Sequence, residues 1–143
     1  MKRSLAVGLV MAVALGAAWA DEDPIKQRQD LMKANGDATK PIVGMLKGAP
    51  FDLAAVKTAL TTYANTAAKA PALFPDSSKS GKTDALPAIW ENKADFDARF
   101  TKFADDVDAA SKTIVDEASF KATMSGVLKN CGGCHEQYRA KKS

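Results

Sequence analysis

Apolar residues recur every three or four positions along most of the chain, and this spacing predicts helices rather than strands. Four helical segments are separated by prolines, glycines and capping residues, at residues 24–47, 52–69, 87–115 and 117–139. Each segment carries one apolar stripe, which a bundle would bury. We therefore expect an all-α protein, folded as an antiparallel up-down four-helix bundle.

The first predicted helix is the least regular of the four. Gly36 and Pro41 interrupt it, and a proline inside a helix normally kinks or ends it. The apolar register resumes at Ile42 and Met45, so we expect one bent helix. The second helix should begin at Asp52, whose side chain can cap the first turn.

The connection at residues 72–86 is long and rich in Ser, Lys, Asp and Gly. A loop of this length in a compact domain often serves a site, although its composition alone favours a solvated connection. The helix that follows has one apolar face and one charged face. We expect the charged face to be solvated, and its residues are Glu91, Lys93, Asp95, Asp97, Arg99, Lys102, Asp105 and Asp106.

The first twenty residues have the pattern of a secretory signal peptide. A basic start is followed by an apolar run and by the small-x-small sequence Ala18-Trp19-Ala20. The apolar run is shorter than the roughly 20 residues that a membrane-spanning helix needs, so a membrane anchor is disfavoured. We expect a signal at residues 1–20 and a single domain at residues 21–143.

The charge balance excludes one class of partner. The formal net charge of the whole chain is +3, and removal of Lys2 and Arg3 with the signal lowers it to +1. A domain so close to neutral lacks the basic excess of a nucleic-acid-binding protein, so we expect no nucleic-acid partner.

Near the C-terminus lies Cys131-Gly-Gly-Cys134-His135, which holds both cysteines and the single histidine of the sequence. Cys-x-x-Cys-His is the attachment signal of a c-type haem. Two thiols three positions apart can add to the two vinyl groups of one porphyrin, and the adjacent histidine can then bind the iron. The motif predicts one haem c, covalently attached through Cys131 and Cys134, with His135 as a metal ligand.

The other interpretations of these cysteines are weaker. A disulfide across two residues would close a very small loop and constrain little of the unfolded chain. A thioredoxin-like motif needs a βαβ context, and a zinc site needs about four ligands where this cluster offers three. No second histidine exists for a bis-histidine iron, and no distal His or Arg pair can be placed for the acid–base chemistry of a peroxidase, so we do not expect an enzyme.

A haem motif in the last helix, instead of near the N-terminus, resembles the class II c-type cytochromes, which are cytochrome c prime and its low-spin relatives. The resemblance extends over the whole of residues 21–143. Its specific segment is residues 131–139, and its supporting segments lie at residues 27–33, 39–42, 72–75 and 88–90.

The resemblance implies roles for further residues. Arg28 and Gln29 match a first-helix pair that contacts the haem and its propionates, and the planar fork of an arginine suits a carboxylate. Asp84 falls where the long loop of the family approaches the haem edge. Arg139, four residues after His135, matches a basic residue near the proximal pocket.

Met32 carries the main ambiguity. In the low-spin branch of the family a methionine at this position binds the iron as sixth ligand, which gives an electron-transfer centre of raised potential. In cytochrome c prime a Leu, Phe, Tyr or non-ligating Met blocks the distal face, and the open iron binds nitric oxide or carbon monoxide. A gap-filling core residue is the third possibility. Leu31-Met32-Lys33 with Asn35-Gly36 resembles the low-spin pattern, so we favour Met32 as a metal ligand.

The resemblance therefore implies a periplasmic monohaem cytochrome that carries single electrons between redox partner proteins of the periplasm. The alternative is a five-coordinate, high-spin protein that binds nitric oxide or carbon monoxide. Dimerisation through the first two helices is common in the family and is implied for this chain as well.

Overall fold

The computed structural model of the protein describes residues 23–141, and its regular structure is helical. The predicted signal at residues 1–20 lies outside this part. Between 23 and 141 there is no β-strand, and an isolated bridge pairs Ala85 with Arg139. The helices are α1 (Pro24–Leu46), α2 (Leu53–Lys69), α3 (Ala88–Glu91), α4 (Lys93–Thr113) and α5 (Glu117–Tyr138), and the short 3₁₀ turns Ala70–Leu73 and Asp76–Ser78 follow α2.

The four long helices form a bundle. Helix α1 packs on α2, α2 on α4, and α4 on α5, as expected when successive helices are neighbours in space. The predicted all-α four-helix bundle is confirmed. Over the described residues, every helix is too short or too polar to cross a membrane.

Helix α1 runs without a break through Gly36 and Pro41, as the resumed apolar register predicted, and it ends one residue earlier than expected. Its start is capped because Asp23 Oδ1 accepts a hydrogen bond of 2.9 Å from the N–H of Ile25. Beyond Pro41, the side chains of Ile42 and Met45 are buried in the core. This burial holds the last turn in helical form although the proline removes one backbone hydrogen bond.

The predicted helix at residues 87–115 is wrong in one respect, because the structure divides it into α3 and α4. Asn92 leaves the helical region with φ −123° and ψ 47°. Its N–H bonds to the carbonyl of Ala88 and closes α3, while its carbonyl accepts from Phe96 and opens α4. Asparagine is a poor helix former, so this break costs little.

The core has two clusters of buried side chains. The larger one draws on α1, α2, α4 and α5 and includes Ile42, Tyr63, Phe120 and Met124. The smaller one comprises Ala70, Ile89, Phe96, Phe100 and Tyr138, and Met32, Phe74 and Cys134 pack against it among others. The cysteine motif therefore lies beside the smaller cluster.

Candidate haem site

Helix α5 presents the motif on one face. Leu128, Cys131, Cys134 and His135 are spaced by three or four residues, so they point to the same side of the helix. All four line a cavity of about 710 Å³ inside the bundle. Both cysteines are half-buried free thiols. The predicted attachment residues and the predicted proximal ligand thus open into one space.

Helix α1 supplies another wall of this cavity. Met32, Gly36, Thr39 and Val43 recur at helical spacing and all line it. Helices α1 and α5 make few direct contacts, because the cavity lies where both contribute their inner faces. Phe100 and Phe103 of α4, with Thr66 of α2, are among the other lining residues.

A second cavity of about 420 Å³ adjoins the first. It brings together the remaining predicted site residues, since Arg28, Gln29 and Asp84 line it with Cys134 and His135. The two cavities share Met32, Phe100, Cys134, His135 and Arg139. Every site residue predicted from the sequence therefore lines at least one of two adjoining cavities.

Arg28 is only 4 % exposed and joins α1 to the long loop. Its Nη1 donates to the carbonyl of Leu73 at 2.9 Å and to Ser78 Oγ at 2.8 Å. Its Nη2 donates to the Ser78 carbonyl at 3.2 Å and to Thr83 Oγ1 at 2.8 Å. The guanidinium also lies 4.5 Å from the centre of the Phe74 ring. None of these hydrogen bonds goes to a carboxylate, and burial lowers the pKa of Arg28.

Backbone pairing closes the smaller cavity on the loop side. The N–H of Leu86 donates to the Tyr138 carbonyl at 3.0 Å, and the N–H of Ala140 donates to the Asp84 carbonyl at 2.8 Å. The exposed Gln29 adds a bond from Nε2 to the carbonyl of Lys82 at 2.8 Å. The loop at residues 72–86 is thus tied to both α1 and the end of α5.

The titratable groups of the motif are held in neutral form. Burial raises the pKa of the Cys131 and Cys134 thiols, so both are protonated near neutral pH. Burial, and then the positive charge of Arg139, lower the pKa of His135. A neutral imidazole is the form that binds a metal.

The prediction that the charged face of the third helix is solvated is wrong for Arg99. Its side chain is 31 % exposed, lines the larger cavity, and donates from Nη1 to the carbonyl of Gly133 at 3.1 Å. The sequence does not single out Arg99, because it lies among seven other charged residues on the same predicted helix. Its position gives the one indication that it faces the core, because Arg99 lies one helical turn from both Phe96 and Phe103.

The site residues fit a covalently attached haem. The cavity has a volume within the usual range for cofactor sites, and most of its lining is apolar. Three of its polar residues are bonded to one another, since Asn35 Oδ1 accepts from Thr66 at 2.8 Å and the Asn35 carbonyl accepts from Thr39 at 2.7 Å. Arg28 is a buried cation beside this space, which a propionate would complement.

Comparison with known proteins gives a family for this chain. The sequence profile of the family described as cytochrome c′ matches residues 23–139. Cytochrome c′ of Rhodopseudomonas palustris is 53 % identical over 138 residues, which are 95 % of this chain and 94 % of that protein. Cytochrome c-556 of the same organism is 37 % identical over 148 residues, covering 99 % of each.

Solved structures show the same fold. The structure of cytochrome c′ from R. palustris matches with a TM-score of 0.81 and 54 % identity, over 85 % of this chain and 98 % of that one. A structure of oxidised R. palustris cytochrome c556 matches with a TM-score of 0.75 and 40 % identity, over 85 % and 98 % of the two chains.

Proposed function

The chain belongs to the cytochrome c′ family and carries haem c covalently attached through Cys131 and Cys134, and we propose that it is a periplasmic electron carrier with His135 and Met32 as the two axial ligands. When bound, haem c supplies an iron that accepts and donates single electrons by changing between the ferric and ferrous states. The family's members are electron carriers or gas-binding proteins, so what this chain does depends on the residues that face the iron.

The observation that carries the proposal is the joint position of Met32 and His135. They come from different helices, α1 and α5, and both line both cavities. Met32 is half-buried and packs against the same small cluster as Cys134. A thioether opposite a histidine stabilises the ferrous state and raises the potential, which suits an electron-transfer centre.

The other site residues have supporting roles in this proposal. Arg28 and Gln29 are assigned to the haem edge, where the buried guanidinium of Arg28 complements a propionate charge. Asp84 lines the same cavity and is assigned to the exposed edge. The signal-like residues 1–20 support export to the periplasm, where redox partner proteins would exchange electrons with the haem. A homodimer through α1 and α2 stays a prediction.

A second candidate is a high-spin cytochrome that binds nitric oxide or carbon monoxide at an open sixth position. The higher identity to a cytochrome c′, at 53 %, than to a cytochrome c-556, at 37 %, favours it. In this case Met32 would cover the distal face without binding the iron.

The optical spectrum of the ferrous protein, with and without carbon monoxide, separates the two candidates. We expect sharp low-spin bands that the gas does not change. Met32→Leu keeps the volume of the side chain but removes the sulfur, so it should give a high-spin spectrum that changes when carbon monoxide is added.

Met124→Leu is the matched control, because Met124 is fully buried in the larger cluster and lines neither cavity. It should leave the spectrum as in the wild type. A wild-type protein that is already high-spin and binds carbon monoxide would overturn the assignment of Met32 and favour the second candidate.

A further inference from the structure

The larger cavity has a one-sided charge. Three of its described lining residues carry a full positive charge, namely Lys40, Arg99 and Arg139, and none carries a carboxylate. The Lys40 side chain is 77 % exposed and bonds to Asp37 at the surface. Arg139 is also exposed. Solvent and salt screen exposed charges strongly, so Arg99, at 31 % exposure, is the least screened of the three cations.

Arg99 is held in place by both α4 and α5. Its Nε donates to Asp95 Oδ2 at 2.7 Å. Its Nη1 donates to the Gly133 carbonyl at 3.1 Å, and its Nη2 donates to Gln137 Oε1 at 2.9 Å. The guanidinium carbon lies 5.6 Å from the centre of the Tyr138 ring. These contacts fix the charge beside the segment of α5 that carries Cys134.

The Arg99–Asp95 pair is oriented with its positive end toward the cavity. Arg99 is a lining residue, whereas Asp95 is not, and the Asp95 carboxylate also accepts from the Tyr138 hydroxyl. Hydrogen bonds from Arg99 and then from Tyr138 lower the pKa of Asp95, and the bond to Asp95 raises the pKa of Arg99. Both groups are therefore charged near neutral pH.

We propose that Arg99, oriented by Asp95, sets the midpoint potential of the haem by placing a fixed positive charge at the wall of the larger cavity. Reduction adds one electron to the site, so a nearby cation stabilises the reduced form and raises the potential. The inference rests on a haem in the larger cavity and holds whether or not Met32 binds the iron.

Three variants of the holoprotein test this, with the midpoint potential measured by spectroelectrochemical titration. Arg99→Met removes the charge and should shift the potential to lower values. Asp95→Asn removes the counter-charge and should shift it to higher values, by a smaller amount because Asp95 is 52 % exposed. Arg99→Lys keeps the charge, so its potential should lie nearer to the wild type than that of Arg99→Met.

Lys40→Met is the matched control, since it removes the same charge from an exposed position on the same cavity. Its shift should be smaller than that of Arg99→Met. If Arg99 were only a structural clamp, Arg99→Met and Asp95→Asn would both loosen α5 and shift the potential in the same direction. The proposal would be overturned if the potentials of Arg99→Met and Asp95→Asn shifted in the same direction. It would also be overturned if the shift in Arg99→Met were no larger than the shift in Lys40→Met.

The ferrous spectrum of each variant keeps this test separate from that of Met32. An unchanged spectrum shows that the axial ligands are those of the wild type, so a potential shift then comes from charge. Thermal unfolding of each variant is measured in parallel. Asp95→Asn is nearly isosteric. Its predicted rise in midpoint potential can therefore be examined even if Arg99→Met does not fold.

Discussion

At the scale of single residues, Arg28 shows how much a side chain's role depends on distant partners. The resemblance assigned it to the haem propionates, and its hydrogen bonds reach residues 45, 50 and 55 positions further along the chain. It therefore organises the loop that forms one side of the smaller cavity. These two roles are compatible, because the guanidinium lines that cavity while it holds the loop.

Replacing Arg28 by Lys should destabilise the holoprotein by at least about 2 kcal/mol. A lysine ammonium keeps the charge but cannot bond to Leu73, Ser78 and Thr83 at once, so buried oxygens lose their donors. Chemical denaturation of the holoprotein measures the loss.

The reciprocal change Lys26→Arg serves as control on the same helix. The Lys26 side chain is 61 % exposed and pairs with Asp30, so we expect a change within about 0.5 kcal/mol. Equal stability of Arg28→Lys and the wild type would show that the loop does not depend on this arginine.

At the scale of elements, α5 positions the site because its start is fixed firmly. Asp116 Oδ1 accepts from the N–H of Ser119 at 2.8 Å, and Ser119 Oγ accepts from the N–H of Asp116 at 3.1 Å. This reciprocal arrangement is a capping box. It begins the helix that brings Cys131, Cys134 and His135 to the cavity after more than three turns.

Asp116→Ala should lower the melting temperature of the holoprotein at neutral pH by roughly 3–6 °C, as expected for loss of a helix cap. The hydrogen bonds from Ser119 hold the pKa of Asp116 below its ordinary value. A carboxylate with a lowered pKa in the folded state stabilises the protein above its unfolded pKa, and this stabilisation is lost as the pH falls.

The difference between Asp116→Ala and the wild type should therefore shrink once the pH drops below about 4. Asp105→Ala is the control, because Asp105 is an exposed residue inside α4 where alanine is the better helix former. It should leave the melting temperature unchanged or slightly higher. A difference for Asp116→Ala that stays constant into acid would contradict the capping role of the carboxylate.

At the scale of the whole molecule, several fully buried side chains of the larger cluster line neither cavity. The larger cluster, with Phe120 and Met124 fully buried, packs α1, α2, α4 and α5 together. Phe120 lines neither cavity and contacts the ring of Phe51 at 5.6 Å between centroids. The larger cavity is lined by Phe103 of the larger cluster and by Phe100 of the smaller one. Because Phe120 itself lines neither cavity, a change at Phe120 should affect folding much more than the haem.

Phe120→Ala should cost about 3–5 kcal/mol in the free energy of unfolding, because it removes a fully buried aromatic side chain and leaves a cavity. The ferrous and ferric spectra of the folded variant should match those of the wild type. Denaturant titration and optical spectra of the same samples measure both effects.

Val115→Ala is the control, because Val115 lies just before α5, the helix that contains Phe120. The Val115 side chain is 67 % exposed, so the change should stay within about 0.5 kcal/mol. A changed spectrum in Phe120→Ala would show that the packing around Phe120 is coupled to the haem site.

Short-range features of the sequence predicted much of this protein. The attached haem c, the four-helix bundle and the passage of α1 through Pro41 are confirmed. Each depends on residues within a few positions of one another: a motif of five residues, an apolar repeat of three or four, and apolar side chains just beyond a proline. The break at Asn92 was missed because a helical repeat on both sides hides a single non-helical residue.

Only the tertiary structure decided which charges face the cavities. Arg99 has the same i,i+4 spacing from Asp95 as the exposed pairs Lys26–Asp30 and Asp108–Lys112, and local spacing cannot tell which pair meets another helix. Arg28 finds its oxygens in a loop about fifty residues away, and Met32 and His135 line the same cavities from opposite ends of the chain. Such contacts arise from the way whole helices pack, which the spacing of residues along one helix does not contain.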